Sequence, residues 1–238
     1  MVHNPHVPGA GVVMERLCAA FAARGLRSLV VDAADTASPP HELASVDLGA
    51  CVEVLSPSVS YLAARGLPMN YLDSRATQVG FIDALRIAAP AAQVVVLHAG
   101  ALDLRRMFVG RTPRPVLMAG PRPDSLTHAY TSMKLLSQRL GALAYDLVVS
   151  GDVGIRRAER MAERLTDCAD HFLGAALRDM AVVDPHAPPQ ATVPADMQRL
   201  AAGLLPATAQ TAHGLADLPP LPASTMPQRR PASVGRLN

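Results

Sequence analysis

The sequence predicts a doubly wound α/β fold, with a mainly parallel sheet covered by helices on both faces. Three observations predict it. Short apolar, β-rich runs alternate with longer helical patterns along the chain. Several of those runs are apolar without alternation, as strands buried on both faces are. Half of the 238 residues are hydrophobic, enough for a sizeable core, yet only 3% are aromatic and Trp is absent. That core is therefore built from Ala, Val and Leu, and the chain holds 41 alanines.

The elements follow in order. The periodicity predicts a helix over residues 12–24, stopped by Gly25, which can adopt the left-handed conformation of a helix C-terminus. The runs at 29–31, 51–55, 94–97, 115–118 and 147–149 read as strands. A helix is expected from about residue 74 to 89, ending before Pro90. The clearest helix follows Pro121-Arg122-Pro123, with Asp124 as its cap and a core stripe of Leu126, Ala129, Tyr130, Met133 and Leu136 or Leu140 at spacings of three and four. A further helix over 155–165 carries Arg156, Arg157, Glu159, Arg160, Glu163 and Arg164 on its exposed side. It reads as a solvated face with mixed-sign pairs; the functional alternative is a face that contacts phosphate or a partner. After Asp184 the character changes, and ten of the 21 prolines lie between Pro185 and Pro231. One amphipathic segment survives there, over 195–205. The organisation expected is a main domain over 1–185, a short helical extension over 186–205 and a Pro/Ala-rich disordered tail over 206–238.

Composition excludes several function classes. The net charge of +2 is too mild for nucleic acid as the main partner. No apolar run reaches the roughly 18–20 residues of a membrane span, and no signal peptide is visible. The segment over 195–205 has Arg199 as its one cation, so membrane contact is peripheral at most. Cys18, Cys51 and Cys168 suggest no disulfide framework or zinc site, and a cytoplasmic protein is expected. Of 22 basic residues, Lys134 is the only lysine. Any chemistry that needs a lysine must use that one position.

Ligands bind doubly wound sheets at the carboxyl ends of the strands. Asp32, His98-Ala99-Gly100-Ala101, Gly120-Pro121 and Ser150-Gly151-Asp152 fall there. Pro8-Gly9-Ala10-Gly11 precedes a helix and can form a turn whose amides face an anion, although a simple turn explains it as well. His3 and His6 lack identifiable partners for a metal and read as a flexible terminus; no metal site is expected.

Order and spacing carry a resemblance. Pro115-Val116-Leu117-Met118-Ala119-Gly120-Pro121, followed by Asp124-Ser125-Leu126-Thr127-His128-Ala129-Tyr130 and Lys134, resembles the P-x-S-x-T-D-A-Y-x-x-x-K stretch of MinD/ParA-type P-loop ATPases, with His128 where Asp is usual. Tyr145-Asp146-Leu147-Val148-Val149, Asp170-His171-Phe172-Leu173-Gly174 and Asp184-Pro185 are similar to later family elements. Ala23-Arg24-Gly25 and Val30-Val31-Asp32-Ala33 are similar to an earlier one. The likeness spans about residues 8–185, and the flagellar FlhG-like subgroup fits best, with the cellulose-associated BcsQ-like subgroup close behind.

The resemblance implies a P-loop NTPase-like fold. It also implies ATP binding coupled to dimerisation and to partner or membrane association. Carried over residue by residue, the nucleotide site is degenerate. Val7-Pro8-Gly9-Ala10-Gly11-Val12-Val13 stands at the P-loop and offers neither the lysine that neutralises phosphate charge nor the hydroxyl that holds Mg²⁺. Arg16 is the nearest cation that can stand in, from the following helix. His98 replaces the switch Asp, Ser150 replaces the adenine-reading Asn, and Asp32 alone keeps a family carboxylate. Only about five residues precede the loop, so the family's first strand is shortened or missing, or the reading frame starts further upstream. The family's D-Q-A-x-x-L-R segment, which engages its partner GTPase, is not found.

The expectation is thus a pseudo-ATPase of the MinD/FlhG type. It would regulate flagellar number or placement through protein contacts, with a flagellar GTPase or regulator as partner and a homodimer as the implied assembly. Its vestigial nucleotide site would comprise Gly9, Gly11 and Ser150, with Asp32 and His98 in the degenerate catalytic positions. No cofactor is expected, ATP and Mg²⁺ being weak vestigial ligands at most. Two alternatives stand beside it. One is a BcsQ-like cellulose-synthesis localisation factor. The other is an enzyme that has repurposed the strand-end cleft, with His98, Asp32 and Asp103 as acid/base candidates.

Overall fold

The computed structural model describes residues 1–188 and 191–206. Seven strands and six α-helices alternate through them. β1 (Ser28–Asp32), β4 (Val94–His98), β5 (Val116–Ala119) and β6 (Ala144–Ser150) are the apolar runs that the sequence picks out. β2 (Glu53–Ser56), β3 (Val59–Ala63) and β7 (Ala176–Val183) complete the set. The helices are α1 (Ala10–Ala22), α2 (Val79–Ala88), α3 (Ala101–Met107), α4 (Pro123–Leu140), α5 (Ile155–Leu173) and α6 (Ala195–Leu204).

Backbone pairing divides the strands into two sheets, ordered β2-β3-β1-β4 and β5-β6-β7. All pairs are parallel except β2 with β3, a tight hairpin at the outer edge. What joins the sheets is the start of the chain. The Val2 N–H donates to Val116 O (2.8 Å) on one side, and the His3 N–H donates to Ala99 O (2.8 Å) on the other. An isolated parallel bridge between Val2 and Ala99 thus sets these residues between the two sheets. Below it, an apolar cavity of about 300 Å³ separates Val94–Val96 from Pro115 and Val116, with Met1 at its upper end and Leu17, Phe21 and Leu136 among its walls.

Helix packing follows the sequence pattern. α1 buries Val13, Met14, Leu17, Cys18 and Phe21 at helical spacing, and Gly25 beyond it takes a left-handed φ of 71°. α4 buries Ala129, Met133 and Leu136. Tyr145 is fully buried beneath it, and its hydroxyl donates to Met133 O (3.1 Å) and Ala142 O (2.9 Å). Burial pushes that phenol up to about 12. Cys18, Cys51 and Cys168 are free thiols. Among the described residues no helix is long and apolar enough to cross a membrane.

Several elements differ from expectation for local reasons. The strand placed at 51–55 begins at Glu53, because Gly49–Cys51 forms a 3₁₀ turn. The helix expected from residue 74 begins at Val79, since Asp73 first ties a turn to Thr77 through N–H and hydroxyl (2.8 and 2.7 Å). Asp124 does not cap α4. Arg122 holds the cap position and Pro123 opens the helix, which leaves Asp124 in the first turn, where a carboxylate still favours the helix dipole. α5 continues to Leu173, ended by Gly174 in the left-handed conformation. The expected mixed-sign pairs of α5 do not form: among the described residues no Arg of this helix meets one of its Glu side chains. The tail expected to be disordered lies, beyond Pro206, outside the described residues.

Candidate functional site

The carboxyl ends of β1 and β4 and the first residues of the chain meet at one place. Asp32 and His98 are register partners on adjacent parallel strands, so their side chains emerge together. His98 Nδ1 lies 2.8 Å from Asp32 Oδ1. His98 Nε2 lies 3.2 Å from His3 Nδ1, because the backbone bond from His3 to Ala99 sets that ring beside it. His3 Nε2 in turn stands 3.0 Å from Asp35 Oδ1. The row runs from the interior to water: the His98 side chain is 2% exposed and that of Asp35 82%.

Proton bookkeeping assigns the tautomers. A carboxylate only accepts, so the contact with Asp32 takes a hydrogen on His98 Nδ1, and the contact between the rings is met by His3 Nδ1–H donating to His98 Nε2. His3 Nε2 is left without a hydrogen bond, since Asp35 is near but off its line. Burial holds His3 below its ordinary value, aided by His98 and opposed by Asp35 and Asp32. His3 Nε2 is thus the ring nitrogen of the row left without a hydrogen bond, and it is itself buried. His98, which the sequence nominates, already has both nitrogens engaged. Asp103 does not join the row; it faces Arg106 along α3 at 3.9 Å.

Neither His3 nor His6 belongs to a loose terminus. His3 is buried, and Asn4 beside it is 2% exposed. The Asn4 amide donates to Met118 O (2.8 Å) and Ser125 O (2.9 Å), while its Oδ1 accepts from the His6 N–H (3.1 Å). The His6 ring meets His128 edge to face, at 5.8 Å between centroids, and burial lowers His128 as it does His3. Among the described residues no group of three or more His, Cys, Asp or Glu is placed to hold a metal.

The segment leading into α1 is exposed at Pro8, Gly9 and Gly11 but tied to two neighbours. Gly9 caps the helix with φ 73°. A Cβ on it would lie 2.8 Å from Pro185 Cβ, so glycine is required both by the backbone and by the neighbour. The Ser150 hydroxyl donates to Pro8 O (3.1 Å). Gly11 has an ordinary helical backbone and open space around it. Arg16 does not turn toward this segment: its guanidinium donates to Ala191 O (2.9 Å), Ala187 O (3.2 Å) and Pro188 O. Lys134 is exposed on α4.

No family model matches the chain, and no curated protein matches it in sequence. Solved structures do. A chain of the MinC:MinD cell division protein complex from Aquifex aeolicus is 13% identical, with 96% of this chain and 97% of that one covered and a TM-score of 0.49. A ParA family ATPase from Chlorobium tepidum is 15% identical, with 79% and 91% covered and a TM-score of 0.48. A plasmid partition protein from Borrelia burgdorferi, bound to AMPPNP, is 8% identical, with 89% and 95% covered and a TM-score of 0.54. The last decides the architecture. This chain has the fold of that partition protein. At 8% identity the likeness is one of fold alone.

The partition protein's structure holds AMPPNP, and the resemblance read from the sequence puts the matching phosphate loop of this chain ahead of α1. From Pro8 to Val13 there is no cation and no hydroxyl, and the Ser150 hydroxyl and Arg16 guanidinium serve backbone carbonyls instead. Sequence reasoning placed Asp32 and His98 at strand ends but missed His3, Asn4 and Asp35. Asp35 is legible as the fourth residue of Asp32-Ala33-Ala34-Asp35. His3 and Asn4 carry no periodicity, and only the bridge between Val2 and Ala99 gives them a place.

Proposed function

We propose that this chain is a MinD/ParA-type protein that keeps the scaffold, has lost ATP hydrolysis, and works through protein contacts. The observation that carries the reading is the segment before α1. It has no charge for a phosphate and no hydroxyl for Mg²⁺, and it is tied in place by Gly9 against Pro185 and Ser150 against Pro8. Within that reading, the motif around Asp124, Tyr130 and Lys134 favours a regulator of flagellar number or placement, of the FlhG-like kind. A homodimer and a flagellar GTPase or regulator are its implied partners. A BcsQ-like role in cellulose synthesis is the alternative inside the same fold. A deletion strain separates them: altered flagellar count supports the first, altered cellulose with normal flagella the second. Titration calorimetry with ATP and Mg²⁺ tests the reading itself. No heat at micromolar protein is expected. Micromolar affinity, or Mg²⁺-dependent turnover abolished by Asp32→Ala, overturns it.

One observation favours a second reading. The Asp32–His98–His3 row is the arrangement of a carboxylate that orients an imidazole, extended by a second ring. In an enzyme of the strand-end cleft, His3 Nε2 would be the acid or base, with His98 and Asp32 holding it. Such an enzyme loses activity in both His3→Gln and His98→Asn. A deletion phenotype rescued by either variant rejects it.

A further inference from the structure

α4 and α5 leave a groove of about 790 Å³ between them, away from the histidine row. Its floor is apolar, formed by Leu126 and Tyr130 of α4 and Met161 of α5. Its rim is Arg122, ahead of α4, together with Arg157, Arg160 and Arg164 on successive turns of α5. Four of the described arginines meet a carboxylate, among them Arg111 with Asp83 and Arg199 with Asp179, both at 2.8 Å. The groove arginines are not among them, and what sets them apart is that four stand together on one groove. Among the described residues none of the four meets a carboxylate, and the one contact recorded for them is from Arg157 to Pro121 O at 3.4 Å. The glutamates of α5, Glu159 and Glu163, line a different hollow, toward β7. One helix thus sends Arg157, Arg160 and Arg164 to one flank and both glutamates to the other, leaving Asp167, which borders both hollows, as the single acid lining the groove.

We propose that this groove is the docking site for an acidic, amphipathic segment of a partner protein. The segment would rest apolar side chains on Leu126, Tyr130 and Met161 and present carboxylates to the arginines. The charge selects an anion, and a guanidinium fork pairs with a carboxylate through two parallel hydrogen bonds. The spacing selects a segment over a single small anion. Arg157 to Arg164 spans about 10 Å of helix axis at ~1.5 Å per residue, which matches acids recurring along two turns of a helix laid in a groove. The apolar floor and the net charge of only +2 select protein over nucleic acid, whose backbone contacts need broad positive surface. The inference deepens the reading above by naming the partner's chemistry. It rests on that reading's premise that the protein acts through protein contacts.

The test uses the full chain and a panel of labelled helical peptides with Leu on one face and Glu on the other, read by fluorescence anisotropy. Micromolar binding is expected, weakened at least tenfold by Arg160→Glu with Arg164→Glu and unchanged by Arg156→Glu, which lies outside the groove. Arg160→Lys with Arg164→Lys should restore most of the affinity. Peptides with Gln in place of Glu, or Ser in place of Leu, should bind at least tenfold more weakly. Equal binding by the Gln peptides, no effect of the groove pair, or a single-stranded RNA oligonucleotide that binds more tightly than every peptide overturns the proposal. Circular dichroism melts confirm that the exposed-arginine variants stay folded. ATP calorimetry on the same preparations keeps the failures apart: ATP binding with intact peptide binding overturns only the pseudo-ATPase reading, and the reverse overturns only the groove.

Discussion

The segment before α1 and the groove-side flank of α5 hold opposite inventories. From Pro8 to Val13 no side chain is charged, and Gly9 and Pro8 are tied to Pro185 and Ser150. α5 opens onto a groove of about 790 Å³ with arginines unpaired along its rim among the described residues. The difference teaches where an anion can be met in this molecule. A cation-free turn tied to its neighbours serves the fold. An open face of unpaired guanidinium groups keeps its Coulomb attraction for something outside the chain.

The strongest way to break the comparison is at the tied segment. Gly9→Ala should lower stability by about 2–4 kcal/mol, the sum of a left-handed alanine and a clash with Pro185. A urea midpoint unchanged by this substitution would show the segment free to open, as a ligand-binding loop must be. Next is Asn4→Ala, which strips the Met118 and Ser125 carbonyls of their buried donor. A loss of about 1–3 kcal/mol is expected by the same measurement.

The pH response sharpens the comparison further. His3 and His128 both have lowered values, burial being the main cause in each. Above about pH 6.5 they are neutral in both states and their contribution to stability is full. Below it the unfolded chain takes up protons first, so stability falls as the pH falls. Urea midpoints at about pH 7.5 and about pH 5.5 should show the drop, and His3→Gln should shrink it. The smallest effect belongs to Lys134→Met. Lys134 is exposed on α4, and the change should stay within about 0.5 kcal/mol. A large effect there would mean that the single lysine has a role its position does not explain.

Legibility in the sequence varied with the physics of each element. β1, β4, β5 and β6 are legible because strands covered on both faces must be apolar throughout. β7 is not, since Arg178 and Asp179 interrupt it, and it sits at the sheet edge with only Ala181 and Val183 fully buried. β3 is short, follows Pro57, and is only partly buried apart from Leu62. The site was half legible. Asp32 and His98 stand at strand ends that any doubly wound sheet aims at a ligand, whereas nothing local marks His3 as their neighbour. α5 was read as a helix of mixed charge, correctly as to helix. The segregation of its bases from its acids depends on which neighbour each flank faces.

By itself the sequence determined the α/β class and the absence of lysine and hydroxyl from the segment ahead of α1. Apolar periodicity and side-chain chemistry are written residue by residue and need no fold to be read. The tertiary structure alone decided that Met1 to His3 close the sheet between β4 and β5. It also decided that His3, His98, Asp32 and Asp35 form one row, and that the arginines of α5 share a groove. The physical reason is common to all three. Backbone hydrogen bonds across a sheet are indifferent to side-chain identity, and they bring together residues 95 positions apart whose closeness no local pattern records.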